Sequence, residues 1–301
     1  MNMKYAKKLL TLGLSLALVL SLAACSGGDT AGGDTATPTP AGDNGGDVTN
    51  TEAPATEDPS SPKNWTSAAD LEGKTIAVQE GTTGDILVSE SIANTTPVRF
   101  KAVTACALEL MNGNVDCIVV DSLPAQALVD ANPDQLMILD FPANTEVEAY
   151  AIGVNKTEEG AALAEEFNAA MATLKENGTY EALYNKHING DDTVELPELP
   201  TVTESKGTLV MGTNCEFEPF EYLDSQGNPQ GFDIDYAKYL CATMGYELEI
   251  ENMNFDALPA ALQTGQVDFL CAGLSVTEER LLQMDFTDNY YESTQAIVVL
   301  K

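Results

Sequence analysis

Two stretches far apart in the chain follow the same plan, and that plan admits few folds. Residues 107–121, ALELMNGNVDCIVVD, read as a helix, a stop at Gly113 and a continuous apolar strand. Residues 257–273, ALPAALQTGQVDFLCAG, read as a helix, a stop at Gly265 and a Val-Asp step into another apolar strand. Each follows an earlier strand that runs into a polar loop: GKTIAVQEGTTGD at 73–85 and GTLVMGTNCEF at 207–217. Strands that are apolar throughout belong to sheets covered on both faces, and the intervening helices supply the cover. Two such units predict two parallel-rich α/β lobes. The spacing inside the units differs, so the similarity is one of design and not of repeated sequence.

Between the units, EVEAYAIGVNK (146–156) reads as a long strand. Residues 158–188 follow as an amphipathic helix closed by Gly178 and a second short helix. Residues 191–206 are acidic, carry Pro197 and Pro200, and lack any apolar period, which makes them a linker. The chain closes on QAIVVLK (295–301), rich in β-branched residues, a strand that needs a neighbour for its backbone hydrogen bonds.

The first residues set the compartment. Lys4, Lys7 and Lys8 precede an apolar run too short for a stable membrane span, and small residues end it at Cys25. Residues 1–24 are therefore expected to be a signal peptide. The LAAC tetrad at 22–25 resembles the lipobox of bacterial lipoproteins, which implies a lipid on Cys25. Residues 25–61 are mostly Gly, Asp, Thr, Pro, Ala and Ser and are expected to form a flexible tether.

Charge narrows the partners. Three of the 14 Lys and Arg lie in the leader, which leaves 11 against 47 acids, a net charge near −36. Such a surface repels nucleic acid and anionic lipid. The remaining cysteines, Cys106, Cys117, Cys215, Cys241 and Cys271, are odd in number and mostly sit in apolar runs. They read as small buried residues, with neither a disulfide framework nor a metal site. The one histidine, His187, has no nucleophile or ligand cluster beside it in sequence and reads as a solvated residue at a helix end.

Residues 207–250 (GTLVMGTNCEFEPFEYLDSQGNPQGFDIDYAKYLCATMGYELEI) and LQTGQVDFLCAGLSVTEERLLQMDFTDNYYES resemble the first half of the family-3, polar amino acid, solute-binding proteins of ABC importers. ADLEGKTIAVQEGTTGD, GNVDCIVVD, EAYAIGV and LKENGTYEALYNK resemble the second half. The halves stand in reversed order, which implies a circular permutant of the α/β, two-lobed type II periplasmic-binding-protein fold with two crossover strands. On that reading lobe B is 62–145 plus 295–301, and lobe A is 151–190 plus 207–289. The crossovers lie near 145–150 and 289–294, and the linker 191–206 joins the usual termini. The terminal strand then belongs beside LMILDF and near KTIAV.

The resemblance also implies a site. Arg280, in SVTEER, matches the arginine that grips the ligand α-carboxylate, although Glu278 and Glu279 also allow a helix-start salt bridge. Ser275 and the backbone of Gly273 match positions that bond the ammonium or carboxylate, and an ordinary helix cap is the alternative. Thr82 and Thr83 would offer hydroxyl and N–H groups to the same carboxylate from a helix N-terminus, or form a plain turn. Asp121 matches the carboxylate that pairs with the ammonium, with a helix N-cap as its competitor. Phe217 and Phe255 match aromatics that sandwich the ligand side chain, or are core. Asn214 and Gln79 match positions at the far end of that side chain. The amide of Asn214 leans towards a neutral polar ligand, while Glu216 and Glu218 keep a cationic one open.

The expected function is a lipid-anchored extracellular receptor, a monomer without cofactor, metal or catalytic residues. It captures a free amino acid and delivers it to an ABC permease. The alternatives are an amino-acid sensor that acts through a partner chain and a dehydratase-like enzyme on the same fold. No spare His, Cys or Lys stands beside the motifs to act as acid or base, the cysteines there being read as buried.

Overall fold

In the computed structural model residues 62–301 are described, so the expected signal peptide, Cys25 and the tether lie outside the described residues. The described residues belong to one compact unit. The TIAVQ segment forms β1 (Thr75–Gln79), with every residue after Thr75 buried. Thr82 then accepts a hydrogen bond from the Asp85 N–H and starts α1 (Thr83–Ser91). Next come β2 (Thr96–Phe100), α2 (Val103–Met111), β3 (Cys117–Asp121), α3 (Ser122–Ala131) and β4 (Leu136–Ile138). Gly113, which follows α2, has φ +73° and Gly265 in the second unit has φ +71°. Both occupy the left-handed region that ends a helix at little cost only for glycine.

The second part runs β5 (Glu148–Asn155), α4 (Glu158–Glu176), α5 (Thr179–Leu183) and a wider helical turn over Tyr184–Ile188. After the linker come β6 (Thr208–Thr213), β7 (Glu216–Phe217), β8 (Glu221–Leu223), β9 (Pro229–Gln230) and α6 (Phe232–Met244). They are followed by β10 (Glu247–Asn252), α7 (Leu258–Gln263), β11 (Phe269–Leu270), α8 (Glu278–Leu281), β12 (Met284–Ser293) and β13 (Gln295–Leu300). Segment 191–206 contains no helix or strand. It lies against lobe A, with the Tyr239 hydroxyl donating to Pro197 O and Lys206 Nζ 2.9 Å from Glu166 Oε2.

The strands form two five-stranded sheets, ordered β2-β1-β3-β13-β4 and β10-β6-β11-β5-β12, plus a small β7-β8-β9 sheet. The fold is therefore the expected two-lobed α/β, type II periplasmic-binding-protein-like class. β5 and β12 run antiparallel with Glu148 opposite Ser293, so the two passages between lobes lie side by side.

The last strand lies inside the first sheet and not at its edge. β13 pairs antiparallel with β3, Gln295 opposite Asp121, and with β4, Val299 opposite Met137. Its two faces enter two different cores. Ala296 and Val298 pack with Ile118, Val120 and Leu136, while Ile297 and Val299 pack with Trp65, Ile76, Val78 and Val119. Burying each such Val or Ile contributes about 1.5–3 kcal/mol, so this strand is a major share of the lobe's stability.

One expectation is corrected. His187 is not solvated: its side chain is 11% exposed and its Nε2 lies 2.9 Å from Asp235 Oδ2, a carboxylate that Lys238 also holds. The five cysteines are buried and free. Among the described residues, no helix is long and apolar enough to cross a membrane.

Candidate ligand cleft between the lobes

The cleft is assembled from the C-terminal ends of strands, where open α/β sheets present their loops to ligands. β1 delivers Gln79 and the loop to Thr82 and Thr83, and β3 delivers Asp121. β6 delivers Asn214, and β11 leads into Gly273 and Ser275. These residues line one cavity together with Phe217, Phe255 and Arg280. All ten residues singled out from the sequence thus meet in one place, four from lobe B and six from lobe A. They close around roughly 270 Å³ of space not filled by atoms, of which about 10 Å³ is open to the centre of a water. That is room for about one water molecule, so a solute of amino-acid size enters only if the lobes part. A larger groove beside Ser122, Ile138, Phe141 and Ala296 is open to solvent and has no buried charge in its lining.

Arg280 is 8% exposed. Its Nη1 donates to Ser275 O at 2.7 Å and its Nη2 to Gly81 O at 3.0 Å, and its guanidinium carbon stands 5.5 Å from the Phe255 ring centroid. Among the described residues no carboxylate lies within ion-pair distance of it, so the helix-start bridge to Glu278 or Glu279 does not form. Burial pulls the guanidinium below its ordinary pKa, against the attraction of Glu148 and Asp121, yet an arginine stays charged. The result is a buried cation satisfied by two carbonyls, with donors to spare in its planar fork.

Asp121 is the opposing charge. It precedes α3 but its side chain makes no capping hydrogen bond. Instead it accepts from the Tyr150 hydroxyl at 2.5 Å. Burial, then the Glu148 charge, pushes its carboxyl up to about 6, against hydrogen bonds from Tyr150, Gln295 and Ser293.

The remaining polar groups are more committed than the sequence reading assumes. The Thr82 hydroxyl donates to Gln79 O at 2.8 Å while capping α1, and the Thr82 N–H also goes to Gln79 O. The Thr83 hydroxyl donates to Glu148 Oε2 at 2.5 Å, as does the Ser275 hydroxyl at 2.7 Å. The Gly273 N–H is held by Asp233 Oδ2 at 2.8 Å. Gln79 Nε2 donates across the cleft to Asn214 Oδ1 at 2.7 Å. Glu216 and Glu218 do not line the cavity; Glu216 accepts from Thr104 across the lobes at 3.2 Å. Lys101 bridges Glu80 and Asp256, one on each lobe, at 2.7 and 2.8 Å.

Sequence reasoning missed Glu148, Tyr150 and Gln295. Glu148 gathers Thr83, Ser275 and Gln295, which stand 65, 127 and 147 residues from it. No spacing rule connects such partners. The one available signal is an acid and a tyrosine at the start of a strand expected to cross between lobes.

Residues 209–301 match the sequence profile of the bacterial extracellular solute-binding proteins, family 3. The arginine-bound form of domain 1 from TmArgBP is 36% identical over 32% of this chain and 82% of that one, with a TM-score of 0.27. Residues 209–301 are therefore similar to this family. Among curated members, the arginine-binding extracellular protein ArtP of Bacillus subtilis is 43% identical over 96 residues, 32% of this chain and 37% of that protein. A probable histidine-binding protein of Neisseria gonorrhoeae is 38% identical over 91 residues, 30% and 34% of the two chains. The chain thus spans about a third of the length of the curated relatives it matches. The matched stretch carries Asn214, Phe217, Phe255, Gly273, Ser275 and Arg280, and it ends with β13.

Proposed function

We propose that this chain captures a polar amino acid between its two lobes and delivers it to the permease of an ABC importer. The observation that carries this reading is the placement of Arg280 and Asp121, buried groups of opposite charge on different lobes lining one cavity. A free amino acid brings a carboxylate and an ammonium, and each needs a charged partner once it leaves water. Arg280 takes the carboxylate with its fork and Asp121 the ammonium. Thr82, Thr83, Gly273 and Ser275 frame the two groups. Phe217 and Phe255 sandwich the side chain, and Gln79 with Asn214 meets its far end. Lobe closure around the ligand supplies affinity and the signal to the permease.

A paired amide at the far end, with Glu216 and Glu218 outside the lining, supports a neutral polar side chain over a cationic one. A thermal-shift screen with the twenty amino acids tests the reading, because a ligand at 100 times its Kd adds about 2.7 kcal/mol. No shift with any of them removes it. A shift with arginine and lysine alone removes the neutral preference.

Two finer readings accompany it. A lipid on Cys25 holds a monomeric chain on the outer face of the cell membrane. The order of the halves is a circular permutation, in which linker 191–206 joins ends that are otherwise free and β13 packs beside the segment that begins near Pro62. Supporting this, Cα atoms of β13 come within 8 Å of those of Pro62–Asn64, and Trp65 packs on Ile297 and Val299.

A further inference from the structure

Under the floor of the cleft lies a carboxyl pair that ligand capture does not use. Glu221 on β8 and Asp233 in the first turn of α6 are both 0% exposed. Asp233 Oδ2 accepts from the Gly273 N–H at 2.8 Å and from the Tyr290 hydroxyl at 2.7 Å. Asp233 Oδ1 and both oxygens of Glu221 receive no donor, although the Asp233 N–H donates to Phe220 O at 2.9 Å and so sets Asp233 beside Glu221. Three orphaned acceptors in a dry interior are costly, and two neighbouring carboxylates buried there do not both ionise. One shared proton removes the like-charge repulsion and pairs two of the three orphaned oxygens, because it turns one carboxyl into a donor for the other.

The geometry says which residue holds it. Asp233 already has two donors and sits at the N-terminal end of a 13-residue helix, where the backbone favours negative charge. Glu221 has neither. We propose that Glu221 is a positioning residue of the cleft: it stays protonated at neutral pH and donates to Asp233, fixing the carboxylate that holds Gly273 and Tyr290. The affinity consequence rests on the amino-acid reading above; the location of the proton does not.

The pair bears on the cavity through short links. Gly273 lines the cavity, and a Cβ there would stand 2.8 Å from Phe217 Cε1, so its loop has no slack. The Tyr290 ring stands 6.3 Å from that of Tyr150, which holds Asp121 on the opposite wall. The titratable groups facing the pair are Cys215, Cys271, Tyr290, Tyr236 and Asp121. Burial raises the two thiols and the two phenols, which keeps them neutral at pH 7. Burial first, and then the Asp233 charge, holds Glu221 well above the usual carboxyl range, and burial raises Asp233 as well.

The test compares the full chain with Glu221→Gln, Glu221→Ala and Asp233→Asn. The wild type is expected to show a protonated-carboxyl stretch in the infrared at neutral pH, absent from Glu221→Gln. A raised folded-state pKa contributes stability that is lost as pH rises, so the wild type weakens as pH climbs above the ordinary carboxyl range while Glu221→Gln stays flatter. The glutamine variant, a neutral donor of the same shape, keeps the Gly273 amide protected from hydrogen exchange and keeps amino-acid affinity. Asp233→Asn exposes that amide and weakens affinity about ten- to a hundredfold. Absence of the infrared band in the wild type overturns the proposal, as does a melting loss in Glu221→Gln as large as in Glu221→Ala. If no amino acid binds the wild type, the affinity arm fails with the functional reading, and the infrared, pH and exchange arms still decide the position of the proton.

Discussion

Arg280 Nη2 donates to the carbonyl of Gly81 at 3.0 Å, a bond between residues 199 positions apart and on opposite lobes. The same guanidinium holds Ser275 O on its own lobe. One buried cation therefore ties the two walls of the cleft to each other through backbone oxygens. A ligand carboxylate placed there meets a charge already desolvated and already oriented, so little further ordering is required of the protein.

Replacing Arg280 with Ala is expected to abolish amino-acid binding while leaving a folded protein. Stranding a carboxylate without its charged partner costs about 3–5 kcal/mol, or roughly a hundred- to a few-thousandfold in affinity. Calorimetry with the amino acid found by thermal shift measures this. Near-native affinity in Arg280→Ala removes the assignment, and a collapsed melting curve with it marks a structural role instead.

Asp121 gives a pH signature with two opposite signs. Its folded-state pKa is raised from 3.8 to about 6. In the free protein that contribution to stability is full below the unfolded value and fades as pH rises through the folded one. Ligand affinity runs the other way, since only the ionised carboxylate pairs with an ammonium and binding weakens as pH falls through the same range. Asp121→Asn is expected to bind poorly at every pH and to lose this dependence. Affinity in the wild type that stays flat from pH 8 to about pH 5 contradicts the pairing.

Deletion of 295–301 is expected to unfold lobe B, most of which lies far upstream in the chain. Ile297, Val298 and Val299 are fully buried in two cores. Their burial at about 1.5–3 kcal/mol each rivals the whole stability of a typical domain, about 5–15 kcal/mol. Ile297→Ala alone costs about 2–5 kcal/mol. Urea melts of the two variants measure the effect, and a deletion mutant that melts like the wild type counts against a structural role for the strand.

Cys25→Ala is expected to abolish lipid attachment and to release the protein from the membrane fraction. Metabolic labelling with a fatty acid, followed by fractionation, reads this directly. Labelled protein that still sediments with membranes after the substitution ends the anchoring proposal.

Local order was legible in the sequence because it depends on near neighbours. The GKTIAVQ strand, the Gly113 and Gly265 stops and the all-buried CIVVD strand each follow from residues a few positions apart. The ten cleft residues were legible through family resemblance, which encodes long-range proximity that spacing cannot. Tertiary structure alone decided how those residues spend their hydrogen bonds: Thr83 and Ser275 on Glu148, Gly273 on Asp233, and Gln79 on Asn214. It also moved His187 out of solvent and onto Asp235. An apolar strand announces that it will be buried, because the hydrophobic effect has no direction. A hydrogen bond requires a particular partner at a particular angle. For Glu148 and Glu221 those partners are chosen only when distant segments of the chain have packed.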